Sequence, residues 1–224
     1  MADTFDELTV LPKCLAEVVI IQRDPEFLII NKPTRLLSVP GRHPQNRDSV
    51  IARLLVDFSN AAIVHRLDFD TSGLMVIPLN KKSLSHISKQ FQARTISKTY
   101  TAVVDGLVKD DSGVIDLPIA PDMENRPKYK ICAATGRQSV TEFTVLFRDQ
   151  DAQTSRVLLH PITGRSHQLR LHMQAIGHPI LGCEFYADED ALVKASRLLL
   201  HATELEFLHP VTGEKISVQC EPDF

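Results

Sequence analysis

The sequence predicts an α+β fold. Several short runs of apolar and β-branched residues are typical of buried strands, and three segments with apolar residues three or four positions apart are typical of amphipathic helices. Strands and helices do not alternate strictly along the chain, which argues against a doubly wound α/β sheet. We therefore expect strands and helices that are only partly interleaved.

The first half of the chain contains both kinds of element. Apolar runs bounded by proline or by polar residues predict the strands, and a capping residue followed by helical apolar spacing predicts each helix. The predicted elements are a strand at 27–30, a helix from Asp48 to about Phe58, strands at 61–64 and 74–77, and a helix from Asn80 to about Ala93.

The second half is richer in strands. A proline-containing polar stretch at 116–137 predicts a long loop or a hairpin. Ser166 is expected to cap a helix that ends at Gly177, because glycine is common just after a helix. The other predicted elements are strands at 99–104, 141–147, 156–160, 198–208 and 215–220, and a helix at 187–195.

The nonapeptide at 65–73, His-Arg-Leu-Asp-Phe-Asp-Thr-Ser-Gly, lies between two of these predicted strands. Its polar residues do not serve the packing of a core. An Asp held on such a turn beside its own Arg is typical of a functional site, so Asp68 is the leading candidate for a catalytic group. The alternative is that the carboxylate only accepts backbone N–H bonds within its own turn.

Composition limits the class of protein. The chain has 224 residues, of which 43% are hydrophobic and 24% are charged, as in ordinary soluble globular proteins. It has no apolar run near the roughly 20 residues of a transmembrane helix, and its acidic N-terminus is not a signal peptide. Four scattered cysteines without a C-x-x-C pair predict reduced thiols, a cytoplasmic protein and no membrane partner.

The charge is unevenly distributed. The formal net charge is −3, which argues against indiscriminate nucleic-acid binding. Three acid-free segments between positions 26–48, 70–105 and 151–184 nevertheless carry clustered Lys, Arg and His residues. They indicate a local anionic partner, and the alternative is chance clustering on solvated faces.

Two further residues are candidates for the site. Arg170 falls about 100° from the apolar face of its predicted helix, so we expect it at the edge of the core, where it can meet a carboxylate. Tyr100 lies in a predicted strand and can stack on a base or move a proton. The alternatives are a solvated arginine and a core tyrosine. Histidine spacing predicts no metal site, and no glycine-rich phosphate loop is present, so no metal and no cofactor are expected.

The nonapeptide resembles the H-R-L-D-x-x-T-S-G signature of RluA-type pseudouridine synthases. Five other segments resemble that family's motifs in the expected order, namely 31–41, 98–100, 161–173, 177–182 and 197–202. The resemblance implies a pseudouridine-synthase-like fold, with a mixed, largely antiparallel central sheet, flanking helices and a central active-site cleft. It also implies an isomerase that converts uridine in RNA to pseudouridine without a cofactor.

The resemblance also implies residue roles. Asp68 is the catalytic carboxylate, Arg170 its partner, and Tyr100 the group that contacts the target uracil. Asp68 attacks C1′, attacks C6 or stabilises positive charge on the sugar. Arg66 fills the space left by the flipped base. The expected RNA contacts are His65, Lys32, Arg42, Arg126, Lys128, Arg165 and His167.

The expected organisation is compact. Residues 1–17 are expected to form an N-terminal extension that can be flexible, and residues 18–224 a single catalytic domain. The implied substrates are a transfer RNA anticodon stem-loop, a stem-loop of 23S ribosomal RNA, or both, bound by a monomer. Two rival functions are an RNA-binding module without catalysis and a hydrolase of N-glycosidic bonds.

Overall fold

A computed structural model describes residues 9–224, which divide into two compact units. The first unit contains the residues up to Ile96 together with Glu204–Cys220, and the second contains Ser97–Thr203 and Glu221–Phe224. Of the expected N-terminal extension, residues 1–8 lie outside the described part, and residues 9–17 contain no helix or strand.

Antiparallel strands dominate both units, as the predicted α+β class requires. The strands are β1 (Val19–Arg23), β2 (Phe27–Lys32), β3 (Ser72–Pro78), β4 (Ser97–Asp105), β5 (Ser112–Asp116), β6 (Ile119–Pro121), β7 (Tyr129–Ile131), β8 (Val140–Asp149), β9 (Thr154–Pro161), β10 (Leu200–Leu208) and β11 (Lys215–Gln219). The helices are α1 (Val50–Leu54), α2 (Lys81–Ala93), α3 (Gln168–Ala175) and α4 (Glu189–Val193).

The first unit is built around β2 and β3. These strands pair antiparallel, with Phe27 opposite Pro78 and Lys32 opposite Gly73. Their apolar runs are buried on both faces, which explains why they are continuous rather than alternating. The core cluster here is Phe27, Ile29, Leu74, Val76, Ile87, Ile96, Leu205 and Phe207.

Helix α2 follows its sequence prediction closely. The Asn80 side chain accepts the Ser83 backbone N–H at 2.9 Å, which satisfies one of the donors left open at a helix start. Ile87 is buried on the inner face. Helix α1 differs, because Ser49 rather than Asp48 provides the cap, and the helix ends at Leu54 instead of Phe58. The carboxylate of Asp48 instead pairs with Arg53 at 2.6 Å.

The predicted strand at 61–64 is wrong. These residues form no regular structure, and only the Ala62 N–H reaches a strand, donating to the Pro78 carbonyl at 2.9 Å. The apolar side chains belong to a loop that leads into the nonapeptide. A short apolar run cannot by itself distinguish a strand from a buried irregular segment.

The second unit has the strand order β10-β4-β9-β8-β5, to which β10 contributes its first residues. The predicted excursion at 116–137 is a hairpin of β6 and β7. The core combines β4 and β9 residues with Leu169 and Met173 of α3, and Tyr100 packs against it.

Helix α3 begins differently from its prediction. His167, in a left-handed conformation with φ of 56°, precedes the helix, and no side chain caps it, so the expected Ser166 cap is wrong. Gly177, with φ of 84°, follows the helix in the conformation that favours glycine. Helix α4 is also shorter than the predicted 187–195.

Candidate active site

The loop that carries Asp68 is anchored by side chains of the segment after β2. The Ser38 hydroxyl accepts the Leu67 N–H at 3.1 Å and donates to the Leu67 carbonyl at 2.8 Å. The Thr34 hydroxyl donates to the Asp70 carbonyl at 2.7 Å. The backbone on both sides of Asp68 is therefore fixed, which holds a half-buried carboxylate in one place.

Lys32 is the third anchor, and its position corrects the expectation that it contacts RNA. The side chain is 0% exposed. Its ammonium donates to the carbonyls of Pro33 at 2.9 Å, Leu36 at 2.7 Å and Phe69 at 3.1 Å. A buried cation needs such partners, so Lys32 ties two sequence motifs together and does not meet a phosphate.

His65 and Arg66, which precede Asp68 in the same motif, have different environments. The His65 Nε2 accepts the Val76 N–H at 3.1 Å, and its ring stacks on Phe91 of α2, with centroids 4.7 Å apart. This places His65 in a supporting role against β3 and α2. Arg66, in contrast, is exposed. The turn is closed by the Asp68 carbonyl, which accepts the Thr71 N–H at 3.3 Å.

Arg170, in the second unit, is more buried than the helix geometry predicts. It is 2% exposed rather than at the edge of the core. Its Nε donates to Cys183 Sγ at 3.2 Å, and its guanidinium lies 5.0 Å from the Phe185 ring centroid and 5.4 Å from that of Tyr186. The aromatic faces stabilise the cation and orient its plane.

Tyr186 joins this arginine to two other parts of the unit. Its hydroxyl accepts the Tyr129 N–H of the β6–β7 hairpin at 2.9 Å and lies 2.6 Å from Nδ1 of His167. The His167 ring also stacks on Phe185. His167, expected to contact RNA, is therefore half-buried in an aromatic cluster that surrounds Arg170.

The aromatic cluster around Arg170 was not predicted from the sequence. The segment directly after the Gly177–Gly182 motif contains Cys183, Phe185 and Tyr186. The only sequence feature that could have indicated the cluster was a pair of adjacent aromatic residues in a loop. Nothing in local spacing connects them to Arg170, because the contact depends on the fold of the loop.

Phe185→Leu tests the cluster as an orienting device. For the RNA isomerisation that the resemblance implies, we expect kcat to fall about tenfold with little change in RNA affinity, because the cation–π contact contributes roughly 0.5–2 kcal/mol to the orientation of the guanidinium. Single-turnover kinetics and a binding titration measure the two effects. Phe147→Leu is the control, because Phe147 is 60% exposed in the same unit. Equal losses in both variants would contradict the orienting role.

His172 fixes the helix that carries Arg170. It is 0% exposed, its Nε2 lies 3.0 Å from the Leu117 carbonyl, and its Nδ1 lies 2.9 Å from the Thr141 hydroxyl. A carbonyl only accepts, so Nε2 carries the proton and Nδ1 accepts from the hydroxyl, as in a neutral ring. Burial lowers the pKa of His172 below its usual value.

The lowered pKa of His172 predicts a loss of stability in mild acid. As the pH falls below about 6.5, the unfolded chain binds a proton that the folded chain does not, so the free energy of unfolding decreases. We expect the wild type to lose about 1 kcal/mol more than His172→Gln between pH 7.5 and 5.5. Urea denaturation at both values measures this difference. Parallel losses in the two proteins would contradict it.

Tyr100 and Lys98 lie on β4. Tyr100 is half-buried and pairs across the sheet with Leu159. The Lys98 ammonium lies beside Gly164, 3.8 Å from the position that a Cβ would take there. Burial lowers the pKa of Lys98. This end of the strand therefore brings a cation to the turn that precedes α3.

The remaining expected RNA contacts lie at or near the surface. Arg42 and Arg126 are exposed, and Lys128 and Arg165 are half-buried. The Arg165 Nε donates to the Gln138 carbonyl at 3.3 Å. Within residues 9–224, no three His, Cys, Asp or Glu side chains are arranged to hold a metal ion. Nor does this part of the chain contain a helix with the length and apolar character needed to cross a membrane.

Comparison with known proteins identifies the family. Residues 26–175 match the RNA pseudouridylate synthase family. The chain belongs to the RNA pseudouridylate synthases. The match includes the anchored loop with Asp68, Tyr100 on β4, and the whole of α3 with Arg170. The α+β fold and the RluA-type resemblance are thereby confirmed, and the chain is an isomerase that acts on RNA.

Individual relatives cover almost the whole chain. A protein of Yersinia pestis called dual-specificity RNA pseudouridine synthase RluA is 49% identical over 92% of this chain and 100% of its own length. The protein of that name in Escherichia coli K12 is 46% identical over 92% of this chain and 94% of its own. Among solved structures, human RNA pseudouridylate synthase domain containing 1 superposes with a TM-score of 0.79 at 30% identity, covering 95% of this chain and 86% of that one.

Proposed function

We propose that this isomerase converts specific uridines of both transfer RNA and large-subunit ribosomal RNA to pseudouridine, with Asp68 as the catalytic carboxylate. One observation carries the proposal for the residue. The backbone carbonyls of Leu67, Phe69 and Asp70, around Asp68, are all held by side chains of a separate motif. Such preorganisation is typical of a reacting group. The dual substrate class rests on the names of the Yersinia and Escherichia relatives.

The proposed reaction conserves every atom of the RNA. The bond between C1′ and N1 breaks, the uracil turns, and a new bond forms between C1′ and C5. C5 loses its proton and N1 gains one, so no redox partner is required. Asp68 attacks C1′, attacks C6 or stabilises the positive charge that develops on the sugar.

Arg170 and Tyr100 are the other two residues to which we assign roles in the reaction. The role that we propose for Arg170 is to orient a carboxylate, because its aromatic surroundings hold the guanidinium plane for a two-point contact. Tyr100 contacts the flipped uracil as a stacking platform or as a proton carrier. We place the enzyme in the cytoplasm as a monomer, since both RNA classes are folded molecules that need an open approach.

Arg66 is the proposed wedge that replaces the flipped base. It is exposed two residues before Asp68, as a side chain that enters the RNA stack must be. We expect Arg66→Ala to slow modification of a structured stem-loop by about 10- to 100-fold, since unstacking a base costs a few kcal/mol. The control substrate is an unstructured oligonucleotide with the same target uridine, in which no stacked base has to be displaced. We expect Arg66→Ala to modify it at the wild-type rate. Equal losses on both RNAs would argue against the wedge.

Unmodified transfer RNA and ribosomal RNA provide the direct test. The wild-type protein is incubated with each RNA, pseudouridine is mapped, and free uracil is measured. We expect pseudouridine at defined positions in both RNAs and no free uracil. Free uracil would indicate a hydrolase, and binding without either product would indicate an RNA-binding module. Modification of only one RNA class would remove the dual substrate assignment.

A further inference from the structure

One side of α2 forms an open groove with a basic lining. The groove has a volume of about 450 Å³, and Pro210 from the β10–β11 turn completes its wall. The exposed face of the helix carries one stripe of basic side chains, formed by Lys82, His86 and Lys89. Residues spaced by three or four positions lie on the same side of a helix. Lys81 and Ser85 extend the lining. The whole groove belongs to the first unit.

The positive charge of this groove lies on a helix without acidic residues. Residues 81–93 contain no Asp or Glu. Within residues 9–224, none of the three lysines forms an ion pair, although Lys82 contributes to lowering the pKa of Glu26. Three lysines elsewhere on the surface do have carboxylate partners, namely Lys130 with Asp122, Lys194 with Asp105 and Lys215 with Glu206.

The lysines do not stabilise α2 at the positions that they occupy. Lys81 and Lys82 occupy the first turn of α2, which has no acidic residue, and the last turn has no basic residue. Cations near a helix N-terminus oppose the helix dipole and are destabilising. Acidic residues four positions from lysines stabilise a solvated helix face, and α2 has none. Both facts favour an anionic partner for the groove.

The groove lies on the helix that contacts the catalytic loop. Phe91, two residues after Lys89, stacks on His65 of the nonapeptide. The helix has 13 residues and is about 20 Å long. The anionic partner of the groove is therefore a molecule that also reaches the catalytic loop, and an RNA substrate fits this description.

We propose that the α2 groove binds the phosphate backbone of the substrate RNA outside the stem-loop that carries the target uridine. The proposal rests on the proposed function above. Lys81 and Lys89 are separated by about 12 Å along the helix axis. Successive phosphates of a duplex strand advance by about 3.4 Å, so the stripe spans several of them. Such contacts supply affinity and salt dependence without reading sequence.

The test compares a triple groove variant with a variant of equal charge. The groove variant combines Lys81→Gln, Lys82→Gln and Lys89→Gln. The control variant combines Lys13→Gln, Lys109→Gln and Lys215→Gln. Binding to full-length unmodified transfer RNA and to its isolated target stem-loop is titrated from 50 to 200 mM salt. Single-turnover pseudouridine formation is measured at saturating RNA.

For the groove variant we expect weaker binding to the full-length RNA only. Each lost phosphate contact reduces the slope of log K against log salt by about 0.9, so the slope becomes shallower by about two to three and Kd rises at least about tenfold at 0.1 M salt. Binding of the stem-loop, the single-turnover rate and the control variant remain at wild-type values.

Three outcomes would overturn the proposal. The first is a groove variant indistinguishable from the control on both RNAs. The second is an equal loss on stem-loop and full-length RNA, which would place the contact within the stem-loop. The third is unchanged RNA binding with groove-dependent binding of a polyglutamate probe, which would indicate an acidic protein partner. Failure of the proposed function is seen separately, as absence of pseudouridine from the wild-type reaction.

Discussion

Asp68→Asn is expected to reduce pseudouridine formation by at least about 10³-fold while leaving RNA affinity within about twofold of wild type. Loss of a single catalytic group commonly has an effect of this size. The amide has the shape of the carboxylate but not its charge, so it neither attacks the sugar or base nor stabilises developing positive charge. The loop itself is held by Lys32, Thr34 and Ser38 and should keep its conformation. Single-turnover kinetics with tritium release from C5 and a filter-binding titration measure the two quantities.

Asp70→Asn provides the matched control for this substitution. Asp70 lies two residues further along the same loop, and its backbone carbonyl, not its side chain, accepts the Thr34 hydroxyl. We expect it to retain activity within about tenfold. A turnover rate for Asp68→Asn within tenfold of wild type would remove Asp68 from the chemical step. Loss of RNA binding in the same variant would instead indicate a structural role.

Lys32→Met is expected to destabilise the protein by about 3 kcal/mol or more, because it leaves buried carbonyls without their donor. The side chain is 0% exposed and donates to the carbonyls of Pro33, Leu36 and Phe69. Loss of the Phe69 contact also releases the residue after Asp68, so turnover per folded molecule should fall as well. Urea denaturation monitored by circular dichroism gives the change in unfolding free energy.

The control for this prediction is Lys13→Met, in which an exposed lysine of the same unit is replaced. We expect a change of no more than about 0.5 kcal/mol there. A similarly small change for Lys32→Met would show that the three carbonyls find other donors. Normal turnover in a destabilised Lys32→Met variant would show that Lys32 stabilises the unit but is not needed to position Asp68.

Secondary structure was predictable where local signals agreed. Helix α2 was predicted from the Asn80 cap and from the helical spacing of Leu84, Ile87 and Phe91. Strand β4 was predicted from the β-branched segment that follows. The prediction at 61–64 was wrong because its apolar residues are compatible with both a strand and a loop. Pairing with another strand decides between them, and it involves residues that are distant in sequence.

The order of the motifs along the chain was enough to predict the family, because each motif requires specific residue types at fixed spacing. It also indicated Asp68, Arg170 and Tyr100 as a set. The motif order did not show which basic side chains lie at the surface. Arg42 and Arg126 are exposed as an RNA contact must be, whereas Lys32 and His65 support the loop from within. A lysine in a sequence carries no local signal of whether its ammonium meets water or carbonyls.

By itself, the sequence determined the α+β class, the order of the motifs, the family and the residue that is the leading candidate for catalysis. These depend on residue type and spacing, which are local properties of the chain. Only the tertiary structure decided that Lys32 anchors the Asp68 loop and that Cys183, Phe185 and Tyr186 surround Arg170. The reason is that a long side chain acquires its role from its burial and its hydrogen-bond partners. Those partners come from distant segments that only the folded chain brings together.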